Sequence, residues 1–181
     1  SQLETGELWT YRCVTDVQIS DPLVNTATAQ GTPVIAGRPD PYPNPPVVAT
    51  DQAVVTPVEP GLALTKNTPS ELVYPGTEVT YTYEVDNTGQ TDLYNPGDPD
   101  QTSSRDGWVV DDRCSPVTYV DGDFNDDHIL NAAETWTYTC RSAIDEPTRN
   151  IATVVARTGP GTQGTPLTRR ATDFVDVIVP A

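Results

Sequence analysis

Residues 77–89 read TEVTYTYEVDNTG. Val79, Tyr81, Tyr83 and Val85 alternate with Thr80, Thr82 and Glu84. A period of two predicts a strand with one apolar and one polar face, and β-branched and aromatic residues suit that pleated surface. The stretch stops at an Asn-Thr-Gly turn signal.

Outward from this strand the same reading recurs. LALTK (62–66), GWVVDD (107–112), PVTYV (116–120), ETWTYTCRS (134–142), RNIATVVA (149–156) and a last segment near 171–179 all read as strands. About seven short antiparallel strands within one repeat predict an all-β fold, an immunoglobulin-like antiparallel sandwich. The 18 Pro and 12 Gly argue against helices and for turns. GRPDPYPNPPV (37–47) and RTGPGTQGTPL (157–167) read as exposed hairpin loops.

Among 181 residues, 10 Lys and Arg stand against 26 Asp and Glu, a formal charge of −16. Such a surface repels nucleic acid and anionic lipid, so neither is an expected partner. No apolar run is long enough to span a bilayer, so no membrane insertion is expected of this segment. The sequence contains no Met and no signal peptide, which reads as a processed product or a window from a longer chain. Asp98, Asp100, Asp106, Asp111, Asp112, Asp121, Asp123, Asp126 and Asp127 crowd one region whose only bases are Arg105 and Arg113. Clustering of this kind suggests a divalent metal ion.

The sequence repeats itself. LETGELWTYRC (3–13) matches LNAAETWTYTC (130–140), NTATAQG (25–31) matches NIATVVA (150–156), and ATDQAVV (49–55) matches ATDFVDV (171–177). This is one repeat of roughly 120–130 residues seen one and a half times. Residues 1–60 read as the C-terminal half of a preceding repeat, and 61–181 as a complete one. Pro57 and Pro60 stiffen the EPG joint, so successive repeats are expected in a semi-rigid line. Cys140 is expected to pair with Cys114 across about 26 residues, a closure worth roughly 3 kcal/mol on the chain-entropy model. Cys13 is the counterpart of Cys140 and has no partner in this window. It pairs upstream, bonds a neighbouring chain, or stays a free buried thiol.

The set of motifs resembles the conserved-repeat domains of bacterial and archaeal surface proteins, a domain of unknown function with an immunoglobulin-like fold. It comprises K-N-x-P, P-G-T-E-V-T-Y-T-Y-E-V-D-N-T-G, D-D-R-C-S-P-V, G-D-x-N-x-D, E-T-W-T-Y-T-C and N-I-A-T-V, spread over 61–181. The resemblance implies an extracellular or cell-surface structural array in tandem copies, with no catalytic activity. In similar proteins the acidic insertion is like the calcium loop of dockerins, flanked here by strands.

Read from Asp123, the pattern is D-x-N-x-D-x-I-x-N-x-x-E, which matches an EF-hand-type calcium loop over 123–134. The candidate Ca2+ ligands are Asp123, Asn125, Asp127, the Ile129 carbonyl, Asn131 and Glu134. Leu130 would be the apolar plug. His128 stands where Gly is usual, and it tolerates a left-handed backbone better than most residues. Calcium prefers oxygen, so this lone His is not counted as a ligand. The alternative is a solvated acidic hairpin without an ion. In the partial copy, Glu7 aligns with Glu134 as the last ligand of an upstream site.

Lys66 is the only Lys. Two readings stand for it. One is an amide cross-link to Asn150 with Glu78 or Asp111 as helper; the other is a solvated, snorkelling side chain. Trp9 and Trp136 read as core aromatics beside a disulfide, and Trp108 as a packing residue or ligand platform. With one His and no G-x-S-x-G, hydrolase chemistry has little to stand on. The leading expectation is a non-catalytic structural repeat of a stalk or fibre, partnered by neighbouring repeats or identical subunits. The alternative is an adhesin that binds glycan or protein through the acidic 95–107 loop and Trp108.

Overall fold

The computed structural model describes residues 2–15, 20–35, 38–39, 46–97, 105–159 and 166–180. The chain divides into two compact units, Ser1–Pro57 and Val58–Ala181. Among the described residues all regular structure is strand, and every ladder is antiparallel.

The first unit contains β1 (Leu23–Gly31), β2 (Val34–Ile35), β3 (Arg38–Pro39) and β4 (Val47–Val55), paired β1 with β4 and β2 with β3. The second contains β5 (Ala63–Asn67), β6 (Thr77–Asp86), β7 (Leu93–Tyr94), β8 (Val109–Asp111), β9 (Thr118–Asp121), β10 (Thr135–Ile144), β11 (Thr148–Thr158) and β12 (Thr168–Val177). One sheet runs β5-β6-β10-β9; the other runs β12-β11-β7, with β8 also on β11. β7 and β8 lie along the same edge of β11, at Arg157–Thr158 and Ala152–Val154. They occupy one edge of the sheet in succession, with residues 95–108 between them in the sequence. A parallel bridge joins Leu72 to Ile178: the Val73 N–H donates to the Ile178 carbonyl (3.0 Å), and the Ile178 N–H to the Glu71 carbonyl (2.6 Å).

The alternation in β6 acts as its pattern predicts. Val79, Tyr81, Tyr83 and Val85 are buried, and they meet Trp136, Tyr138 and Cys140 of β10 and Ala152, Val154 and Ala156 of β11. Trp136, Tyr81, Tyr83 and Tyr138 are the largest fully buried side chains. Each removes enough area from water to contribute roughly 4–6 kcal/mol before entropy is counted. Tyr119 packs edge-on against Trp136 and Tyr138 at 5.8 and 5.7 Å between ring centroids. Cys114 and Cys140 form a disulfide across 26 positions, tying the β8–β9 connection to β10.

The boundary falls between Pro57 and Val58 rather than at 60/61. Glu59 accepts the Gln90 N–H (3.0 Å), and the Pro60 carbonyl accepts Arg169 Nε (3.0 Å), so residues 59–60 already belong to the second unit.

The internal repeat has a structural counterpart. Asn25 faces Ala53 and Thr28 faces Thr50, as Asn150 faces Val175 and Thr153 faces Thr172. Glu7 accepts the Glu4 N–H at 2.8 Å, just as Glu134 accepts the Asn131 N–H at 3.0 Å. Gly6 and Ala133, the residues before those two glutamates, both have positive φ (88° and 69°). One difference stands out. Residues 7–15 are not a strand, whereas their counterparts in β10 lie between β6 and β9. No such flanking strands occur among the described residues of the first unit, and Trp9 and Tyr11 are exposed.

Candidate functional site

The acidic loop connects β9 to β10. It opens at Gly122 (φ 113°), where a Cβ would come within 2.0 Å of the Thr135 carbonyl, so only glycine lets the loop close against β10. Asp123 turns its carboxylate inward. Its Oδ2 accepts Arg105 Nε (2.7 Å) and the His128 N–H (3.0 Å), and its Oδ1 accepts the Asp127 N–H (3.3 Å). His128 has φ 62°, the left-handed conformation that position six of such a loop requires. Asn125 Nδ2 donates to Asp127 (2.9 Å) and Asn131 (3.0 Å), and Asp127 accepts the Ile129 N–H (2.9 Å). Glu134 is buried at the base of the loop. It accepts the N–H groups of Asn131 (3.0 Å) and Phe124 (3.3 Å) and Trp136 Nε1 (3.2 Å). Leu130 is fully buried and exchanges two 3.0 Å backbone hydrogen bonds with Leu93.

Arg105 supplies the counter-charge. It pairs with Asp123 and with Asp126, and its guanidinium lies 5.0 Å from the Tyr119 ring centroid. Burial opposes ionisation of Asp123, but Arg105 and the His128 and Asp127 N–H groups outweigh it and hold this carboxyl below its ordinary range. The donor set is all oxygen, which suits a hard divalent cation. The carboxylates do not converge on one point: among the described residues no three His, Cys, Asp or Glu side chains are gathered to hold a metal ion. The residues fit calcium by chemistry and loop spacing, while the inward N–H groups and Arg105 satisfy their oxygens. Glu7, the matching residue of the partial copy, is exposed and caps its own turn.

A second cluster lies in the core between the sheets. Lys66 on β5 has a fully buried side chain whose Nζ stands 2.6 Å from Asp111 Oδ2, itself fully buried. Nζ also lies 4.7 Å and 5.4 Å from the ring centroids of Tyr81 and Tyr83. The Tyr83 hydroxyl donates to the same Asp111 oxygen at 2.7 Å. Asp111 Oδ1 accepts the N–H groups of Arg113 and Cys114, both at 2.9 Å. The Lys66 N–H donates to Asp173 at 2.7 Å. Burial pushes the Lys66 ammonium below its ordinary value, against the opposing pull of Asp111. The snorkelling reading of Lys66 is therefore wrong. Of the two named helpers, Asp111 holds the position, and Glu78 is an exposed partner of Arg141.

Asn150 is fully buried on β11, and among the described residues neither of its carboxamide atoms has a hydrogen-bond partner. The Tyr81 hydroxyl is also unpaired. The two groups are close enough for Asn150 to favour the Tyr81 phenolate, yet they miss hydrogen-bond geometry.

Trp108 is buried and packs on Trp136 at 5.0 Å, so its face is not presented as a ligand platform. Of the acidic 95–107 loop, residues 98–104 lie outside the described residues. Cys13 is exposed and outside any disulfide, which overturns its reading as a buried thiol. Sequence reasoning missed three roles: Arg105 as counter-ion, Tyr83 as the second donor to Asp111, and Asp173 as the anchor of the Lys66 backbone. For Arg105 a signal existed, since it is one of two bases in the acidic region. No family model matches the chain, and no curated protein shows significant similarity to it.

Proposed function

We propose that this chain is a non-catalytic structural repeat of an extracellular surface protein, stalk or fibre, stiffened by calcium and by the Cys114–Cys140 disulfide. The observation that carries this reading is the recurrence of one hairpin, with the same register and the same glutamate-capped turn, in both units. Repetition of a structural unit is what an array requires. The strand order supports the immunoglobulin-like assignment. With β7 and β8 counted as one strand, the sheets match the ABED and CFG sheets of a constant-type domain. A disulfide fits an oxidising, extracellular setting. Neighbouring repeats or identical subunits are the partners this role implies.

Calcium would sit in the 123–134 loop, held by Asp123, Asn125, Asp127, the Ile129 carbonyl, Asn131 and Glu134. An ion at about one hundred times its dissociation constant adds roughly 2.7 kcal/mol of stability. The melting temperature of the full chain should rise with Ca2+ and return on adding chelator, and Asp127→Asn should blunt the response. A transition indifferent to both additions would remove calcium from the proposal.

A further inference from the structure

We propose that Lys66 and Asn150 join in a covalent amide that the folded protein makes for itself, linking β5 of one sheet to β11 of the other. This goes beyond the role proposed above and does not depend on calcium. The placement comes from the ladders. Asp111 lies opposite Ala152, and Asn150 is two residues from Ala152 on the same inward face of β11. Asp111 and Asn150 are thus diagonal neighbours on adjacent strands, a separation that side chains can bridge. Lys66 Nζ is already on Asp111 at 2.6 Å. Tyr81 spans the gap, with its ring under Nζ and its hydroxyl beside the Asn150 carboxamide.

Three anomalies share one explanation. A lysine with a fully buried side chain is rare and usually has a task. A buried carboxamide with two unsatisfied polar atoms costs a few kcal/mol and calls for a reason. A carboxylate that receives Lys66, Tyr83 and two backbone N–H groups is positioned with unusual care. Amide formation uses all three. Asp111 takes a proton from the Lys66 ammonium and leaves a neutral amine. The Nζ lone pair attacks Cγ of Asn150, forming the Nζ–Cγ bond. The Cγ–Nδ2 bond then breaks, one Nζ proton passes to Nδ2, and ammonia departs. Asp111 keeps the proton it took. No oxidant, reductant or cofactor enters the balance. Holding the reactants together in a dry core supplies the effective concentration that the uncatalysed reaction lacks.

The test is mass spectrometry of the full chain after disulfide reduction. The intact mass should fall short of the sequence mass by one ammonia. A tryptic digest should contain a branched peptide joining the Lys66 and Asn150 segments, with cleavage after Lys66 suppressed. Asp111→Asn should restore the full mass while circular dichroism still reports strand. Should that variant fail to fold, the digest of the native chain decides alone. Linear peptides carrying free Lys66 and intact Asn150 would overturn the proposal. So would ammonia loss confined to a linear Asn150 peptide, which marks ring closure on the Asn150 backbone.

Discussion

Tyr81, Tyr83 and Tyr138 bring phenol groups into the core, and the core keeps them neutral. Burial is the main cause in each case. Asp111 adds to it at Tyr83, and the nearby Tyr119 and Asp106 at Tyr138. All three phenols are pushed above the ordinary value of 10.0. A raised folded value means that the folded protein holds its proton after the unfolded chain has lost it. The contribution is present in full below pH 10 and is lost as pH climbs beyond it. Each phenol then removes about 1.4 kcal/mol per pH unit. Chemical denaturation at stepped pH should show a plateau up to about 10 and a steep fall above it, shallower in Tyr138→Phe. A curve still flat at pH 11 would mean that these phenols reach water in the native state.

At the scale of the element, two glycines set how the β6–β7 connection meets the start of the second unit. A Cβ on Gly89 would approach the Gly61 nitrogen to 2.2 Å and the Glu59 carbonyl to 2.6 Å. Both obstacles are backbone, so neither can swing aside. Gly89→Ala should lower stability by about 1–3 kcal/mol, or more, in a urea titration; an unchanged midpoint would show that the turn yields. Reduction of Cys114–Cys140 should lower it by roughly 3 kcal/mol in the same assay. The long strands were legible in sequence: β6 alternates apolar and polar residues, β10 does so from Trp136 to Cys140, and β11 is rich in β-branched residues. β7 was not. It is two residues long, and its identity as a strand comes from Arg157 and Thr158 across the ladder, not from its own pattern. The acidic stretch was equally readable as the loop leading into β10. That Arg105 neutralises Asp123 was not, since the pairing spans eighteen positions and depends on where the chain ahead of β8 places Arg105.

Over the whole molecule, the two units differ in what protects their backbone. Every residue of β1 and β4 is exposed, while β10 and β11 bury alternate residues in a shared core. A two-stranded ribbon is marginal by itself. Amide hydrogen exchange on the full chain should therefore find β1 and β4 exchanging well ahead of β10 and β11. Equal protection in both units would show that something else covers the first hairpin. The halves of the repeat were legible because identical residues recur in order; exposure was not, since it depends on which strands flank a hairpin. The bridge between residues 71–73 and Ile178 has a further consequence for a molecule under tension. It joins the early and late parts of the second unit in parallel. Until the Lys66–Asn150 amide forms, tension drawing Val58 and Val179 apart pulls these two segments past one another along their length; once it has formed, the load passes through the amide and residues 71–73 leave its path. Before that, both hydrogen bonds bear load together and must give way together, whereas a ladder pulled from one end opens one rung at a time. Without the amide, a stretched unit should therefore behave as a latch does, holding until both bonds release together.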